Sequence, residues 1–194
     1  MDVSVIGTGR IGSAVGTALA RAGHRVTFGS RRPDQAVHDA APTVPLPVAL
    51  AASPVVVIAI PAGGVTALVE EHAEALDGKL VVDAANNVGS PVVNNAEPIR
   101  RLAPSARYAR AFNSLGVECL LDPMFDGTPA DMFFACGPDD RAILEELIDA
   151  VGLRPVYVGE DPVVVDGVLR LWLALAMGQG WGRQLAFRTV TRPG

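Results

Sequence analysis

Six residues near the start of the chain limit its fold more than any other feature. Gly7-Thr8-Gly9-Arg10-Ile11-Gly12 follows an apolar run over residues 3–6, and Ile11, Ala14, Val15, Ala18 and Leu19 then recur at helical spacing up to Ala22-Gly23. The pattern predicts strand, tight turn and helix, with Gly23 as the terminator. A GxGxxG hexamer by itself is a weak signal, but between a strand and a helix each position has a mechanical reason. The first glycine permits the turn, the second lets backbone approach a pyrophosphate, and the third lets the helix pack closely on the strand. The helix N-terminus then faces the anion. A glycine-rich turn that holds no ligand is the competing reading. Gly16, four residues on, extends the small face of the helix.

The rest of the chain repeats the alternation. Strands are predicted over residues 25–29, 54–60, 79–83, 108–112, 132–136 and 155–158, and at most a short one between the prolines of 42–47. Helices are predicted to start at 33–39 and to cover 65–76, 95–102, 139–151 and 162–177. The Val-rich run 54–60 is continuous, as in parallel strands covered on both faces. Strands alternating with helices predict an α/β fold: a Rossmann-type, doubly wound, mostly parallel sheet with a small C-terminal helical extension. The expected division is residues 1–160 for the nucleotide-binding unit and 161–194 for a helix and tail that complete an acceptor site or a dimer interface.

The end of the second strand refines the ligand. An NAD site would carry Asp or Glu there, to hold the ribose 2′-hydroxyl. This chain has Gly29-Ser30-Arg31-Arg32. A carboxylate would repel a 2′-phosphate, whereas a hydroxyl and two guanidinium forks bind it. The expected cofactor is therefore NADP(H), with Ser30, Arg31 and Arg32 on the 2′-phosphate; in the alternative, the two arginines begin a solvated helix.

Charge mapping supports a small anionic ligand. The chain carries a formal −5, yet the segment 3–33 holds five arginines and no carboxylate. Nucleic acid needs a broad basic face and is not expected. No run reaches the length of an apolar membrane span, since Asp166 and Arg170 break the greasiest stretch. The N-terminus lacks a signal-peptide pattern, so the expected location is the cytoplasm. Cys119 and Cys136 have no metal or disulfide spacing and read as buried thiols; no metal site is expected.

In an open parallel sheet, ligands lie outside the carboxyl ends of the strands. Ile60-Pro61, residues 83–87 and Asn113-Ser114 are therefore candidates, with the small turn Pro61-Ala62-Gly63-Gly64 beside them. Asn86, Asn87 and Asn113 can donate and accept, which suits a carboxamide, though each is as well explained as a turn residue bonded to its own backbone. Asp83 reads as a cap on the loop that follows. Carbonyl reduction usually needs a proton donor beside the hydride acceptor. Lys79, Tyr108, Tyr157, His24, His38 and His72 all fall away from the cleft, so no catalytic residue is assigned and a flavin-like acceptor fits better than a ketone.

Taken together, Gly7-Thr8-Gly9-Arg10-Ile11-Gly12, Phe28-Gly29-Ser30-Arg31, Ala59-Ile60-Pro61, Val82-Asp83-Ala84-Ala85-Asn86, Arg110-Ala111-Phe112-Asn113 and Cys136-Gly137-Pro138-Asp139-Asp140 resemble the coenzyme F420-dependent NADP oxidoreductase family. The resemblance implies hydride transfer between NADPH and a deazaflavin, with the two rings stacked in the cleft. It implies that Thr8, Arg10 and Ile11 join the cofactor loop, and that Ile60, Pro61, Asn86 and Asn113 flank the nicotinamide. Two other readings compete: a reductase of a small imine or carbonyl compound, and a non-catalytic NADP(H)-binding sensor. The apolar last helix, with Trp172 and Trp181, is a candidate homodimer face or plain core.

Overall fold

Alternate residues of the central strands feed two separate cores. Val3, Val5, Val55, Val57, Leu80 and Val82 pack on one face, and Ile6, Val56, Ile58 and Val81 on the other. A strand whose side chains alternate in direction can be apolar throughout only if both faces are covered. The computed structural model describes residues 1–35 and 39–192.

The strands are β1 (Asp2–Ile6), β2 (Arg25–Ser30), β3 (Thr43–Pro45), β4 (Val55–Ile58), β5 (Leu80–Asp83), β6 (Arg107–Arg110), a small hairpin of β7 (Met124–Phe125) and β8 (Thr128–Pro129), β9 (Asp131–Cys136) and β10 (Arg154–Tyr157). The helices are α1 (Arg10–Arg21), α2 (Leu46–Ala52), α3 (Val65–His72), α4 (Ala96–Leu102), α5 (Val117–Leu121), α6 (Arg141–Ala150) and α7 (Pro162–Leu173). The main sheet runs β3-β2-β1-β4-β5-β6-β9-β10. Its first six strands are parallel and in the Rossmann order, reversing direction of winding between β1 and β4. β9 is antiparallel to β6 and pairs only with its last two residues, and β10 is parallel to β9. The expected α/β class and mostly parallel sheet are thus observed, with one reversed junction.

The side chains of α1, α5 and α6 close one face of the sheet, and those of α2, α3 and α4 the other. α1 lies on the sheet through Gly12, Ala14, Val15, Gly16 and Leu19. A Cβ on Gly16 would sit 2.4 Å from the Phe28 ring, which is fully buried on β2. Gly16→Ala is therefore expected to lower stability by about 1–3 kcal/mol, because the ring has no free space to move into. Urea denaturation measures this, and an unchanged midpoint would contradict the packing.

Several boundaries depart from the sequence reading. No helix is predicted at α2, where Pro45 and Pro47 bracket the start; a helix tolerates proline in its first turn, where the amide is unpaired anyway. The expected helix at 33–39 is only a 3-10 turn, Pro33–Gln35, as far as the described residues extend. α5 and the hairpin were not expected at all. The last helix ends at Leu173 and continues as a π turn, Ala174–Gly178.

Beyond that turn the tail is strapped back onto the sheet edge. Trp172 donates its indole N–H to the Leu185 carbonyl at 2.8 Å, Asp131 N bonds the Phe187 carbonyl at 2.9 Å, and Thr189 and Arg154 converge on the Asp131 carboxylate. Trp172 is thus part of the chain's own core, whereas Trp181 is exposed. No helix among the described residues is long and apolar enough to cross a membrane. Cys119 and Cys136 are buried free thiols, pushed up to about 11 and about 12 by burial.

Candidate nucleotide cleft

The strand order forces a crevice at the carboxyl edge of the sheet, where the connections from β1 and β4 leave in opposite directions. A cleft of about 640 Å³ lies there. Gly7, Thr8 and Gly9 form its floor, Ser30, Arg31 and Arg32 one end, and Ile60 and Pro61 the far wall.

The loop geometry follows from three glycines with different tasks. Gly7 has φ +114°, and a Cβ there would meet the Ala59 carbonyl at 2.4 Å, so both its dihedral and its space require glycine. A Cβ on Gly12 would lie 2.0 Å from the Gly7 carbonyl oxygen. A Cβ on Gly9 would meet nothing within 4 Å: the space above it is open for a ligand. Gly9 caps α1 without any side-chain hydrogen bond, and the first turn carries no carboxylate. The leading amides and positive end of that helix therefore remain available to an anion.

At the other end, the Ser30 hydroxyl accepts a hydrogen bond from Arg32 N at 3.1 Å, which folds the strand end back on itself. Arg31 and Arg32 are exposed, and neither guanidinium has an ion-pair partner among the described residues. These cations and the uncapped helix fit a dinucleotide with phosphates at both positions. Gly64 of the turn named above lines the cleft, but sequence reasoning missed the rest of the side wall: Leu46 of α2, and Ala67, Leu68 and Glu71 of α3. Amphipathic spacing in α3 was visible, but which of its residues face the cleft depends on how it crosses the sheet.

The remaining candidates lie elsewhere. Ile11 packs partly buried against the core, and Gly12 lies under the loop. Arg10 does not line the cleft: its Nη2 donates to Glu118 Oε1 at 3.0 Å, and Arg183 Nε reaches the same carboxylate at 3.1 Å. Glu118 thus ties the glycine loop to the C-terminal tail. Its own backbone N–H and the Arg183 and Arg10 guanidiniums hold its carboxyl down at about 2, against an ordinary 4.5. A depressed folded value means that the tie is fully present above pH 4.5 and is lost only as pH falls toward 2. Carbon-13 carboxyl NMR checks this: a Glu118 midpoint at 4.5 would contradict the pairing.

Asn86 and Asn113 follow β5 and β6, the next two strands along the carboxyl edge. Asn86 Nδ2 donates to the Asn113 carbonyl at 2.7 Å, so the two are joined to each other, not to their own turns. Asn113 Oδ1 is buried without a hydrogen-bond partner, and Phe112 before it is held at φ +59° in the left-handed region. An unpaired buried acceptor and a strained non-glycine residue mark this corner as built for something other than stability. Asp83, expected as a simple cap, does more: its carboxylate accepts from Ala85 N, Asn95 N and Tyr108 Oη, closing both ends of the loop 84–95. Burial first, then the nearby Asp83 charge, push the Tyr108 hydroxyl well above its ordinary value.

None of Lys79, Tyr108, Tyr157, His24 or His72 lines the cleft; His38 lies outside the described residues. Lys79 bonds the Ser53 carbonyl and Tyr157 the Cys136 carbonyl, both at the chain's own backbone.

Fold and cleft fit a dinucleotide that carries a 2′-phosphate, and the proteins this chain resembles are Rossmann-type, NADP-dependent oxidoreductases. Within that class the relationship is specific. Residues 2–87 match the family model described as NADP oxidoreductase, coenzyme F420-dependent. The fold is shared with a provisional F420-dependent NADP reductase from Arthrobacter sp. FB24, at 25% identity and a TM-score of 0.81, covering 98% of this chain and 100% of that one. A protein of unassigned function from Sinorhizobium meliloti matches at 24% identity and a TM-score of 0.70, over 99% of this chain and 96% of that one. A reductive aminase from Aspergillus terreus, solved with NADPH and ethyl levulinate, matches at 25% identity and a TM-score of 0.67. That match covers 92% of this chain but 61% of the aminase.

Proposed function

We propose that the protein transfers a hydride between NADP(H), held in the cleft, and a deazaflavin of the F420 type or another flavin-like acceptor. The observation that carries the acceptor is the candidate nicotinamide end: Ile60, Pro61, Asn86 and Asn113 include no lysine, tyrosine or histidine, and Lys79, Tyr108 and Tyr157 are each bonded elsewhere. A carbonyl substrate would need such a proton donor beside it; a flavin-like ring does not. The family description and the Arthrobacter relative support the same choice.

When bound, NADPH supplies a hydride, and the acceptor ring takes it together with one proton from solvent. The chain's own residues bind and orient. The α1 amides and Gly9 receive the pyrophosphate, and Ser30, Arg31 and Arg32 the 2′-phosphate. Ile60, Pro61, Asn86 and Asn113 set the nicotinamide end, where an amide side chain matches a carboxamide in donors and acceptors.

The test is to mix protein and NADPH with F420, FMN, riboflavin or a cyclic imine carboxylate, and to follow NADPH oxidation. Turnover with the deazaflavin or a flavin supports the proposal. Turnover with the imine alone would replace it by imine reduction, the activity class nearest the aminase. Tight NADPH binding with no turnover on any acceptor would make the protein a sensor instead.

We read it as a cytoplasmic enzyme, in keeping with two free thiols, and as a homodimer. Val163, Val164 and Leu171 of α7, Met177 in the turn after it and Trp181 beyond are exposed apolar side chains that a second copy would cover. Sedimentation is expected to show a dimer that Leu171→Glu converts to monomer; a wild-type monomer at high concentration would reject this.

A further inference from the structure

We infer that Arg110 is a positioning residue for the carboxamide end of the cofactor, acting through Asn86. The inference rests on the NADP(H) reading above. Arg110 lies on β6 and is among the largest side chains that are fully buried. A guanidinium without water must be paired, and this one is held between two carboxylates: Asp83 Oδ2 of β5 at 3.1 Å and Asp166 Oδ1 of α7 at 3.2 Å. Anchoring alone would be met by those two pairs. The fork reaches further, with Nη1 donating to the Ala85 carbonyl at 2.5 Å and Nη2 to Asn86 Oδ1 at 2.6 Å.

The contact to Asn86 has a directional consequence. A guanidinium carries only donors, so Asn86 must turn its oxygen toward Arg110. Its amide nitrogen then faces the other way, donating one N–H to the Asn113 carbonyl and leaving the second without a partner among the described residues. Unlike its partners Arg110 and Asn113, Asn86 is only half-buried. The network therefore presents one oriented amide donor at the carboxyl edge of β5, where an acceptor such as a carboxamide oxygen can meet it. Lysine would keep the charge but could not span Asp83, Asp166 and Asn86 with one planar fork. Asp166, itself bonded by Asn94 Nδ2 at 2.7 Å, lets α7 set the orientation of a residue on the far side of the guanidinium.

Calorimetry with NADP+ and with adenosine 2′,5′-bisphosphate tests the assignment, because the bisphosphate lacks the nicotinamide half. Arg110→Lys and Asn86→Ser are each expected to weaken NADP+ about tenfold and to change the bisphosphate less than about twofold. The double variant should bind NADP+ no more weakly than either single one, since both remove the same oriented donor. Unchanged NADP+ affinity, equal weakening of both ligands, or fully additive losses would each overturn the inference. Should Arg110→Lys fail to fold, Asp166→Asn carries the same test: it keeps the shape and one acceptor, and unchanged NADP+ binding would count against the role. Wild-type protein that binds neither ligand would overturn the NADP(H) reading, and this inference with it.

Discussion

Replacing Arg31 and Arg32 together by alanine is expected to weaken NADPH about a hundredfold or more and to leave NADH almost unchanged. Each guanidinium removed is a charge-assisted donor to a phosphate, worth about 1.5–3 kcal/mol where it is well placed. NADH has a hydroxyl at the same position and makes no such bond. The protein itself should not suffer, because both side chains are exposed and have no internal ion pair among the described residues to lose. An unchanged melting temperature together with a loss confined to NADPH is therefore the full expectation. Equal weakening of both dinucleotides would mean that these arginines do not meet the 2′-phosphate.

Two glycines of the loop should separate binding from folding. Gly12→Ala puts a Cβ 2.0 Å from the Gly7 carbonyl oxygen and 3.0 Å from its carbon, and backbone cannot give way as a side-chain end can. Either α1 lifts from β1 or the Gly7 turn opens, so the expected result is a stability loss of about 3 kcal/mol with loss of both NADPH and NADH. Gly9→Ala meets nothing in the ligand-free protein. It should leave the urea midpoint unchanged and still weaken both dinucleotides, because the added methyl occupies the space that the pyrophosphate needs. Binding of either nucleotide by Gly9→Ala at wild-type strength would place the pyrophosphate elsewhere.

Features legible before the fold were those carried by short-range pattern. The Val-rich strands and the spaced apolar residues of α1, α3, α6 and α7 announce themselves within a window of a dozen residues. α2 was hidden by Pro45 and Pro47, because proline reads as loop unless one knows that it stands in a first helical turn. α5 and the β7–β8 hairpin are too short to show a period. Trp172 and Trp181 look alike in sequence, yet one donates to the folded-back tail and the other faces out. Nothing local to Phe112 marks its positive φ, which follows from the corner the chain must turn beside β9. Arg10 shows the converse limit: its place in the motif points at the cofactor, and nothing local announces that Glu118, more than a hundred residues on, pairs with its side chain.

By itself the sequence determined the nucleotide half of this protein. Gly7, Gly9 and Gly12 specify the turn, and Ser30, Arg31 and Arg32 the cationic end of the second strand, because backbone dihedrals and local charge act over a few residues. Only the tertiary structure decided the other half. Asp83, Asn86, Arg110 and Asp166 come from β5, the loop after it, β6 and α7, and which carboxylates a buried guanidinium finds depends on strand order and on where α7 crosses the sheet. Spacing along the chain carries no record of that choice; desolvation enforces it once the strands are side by side.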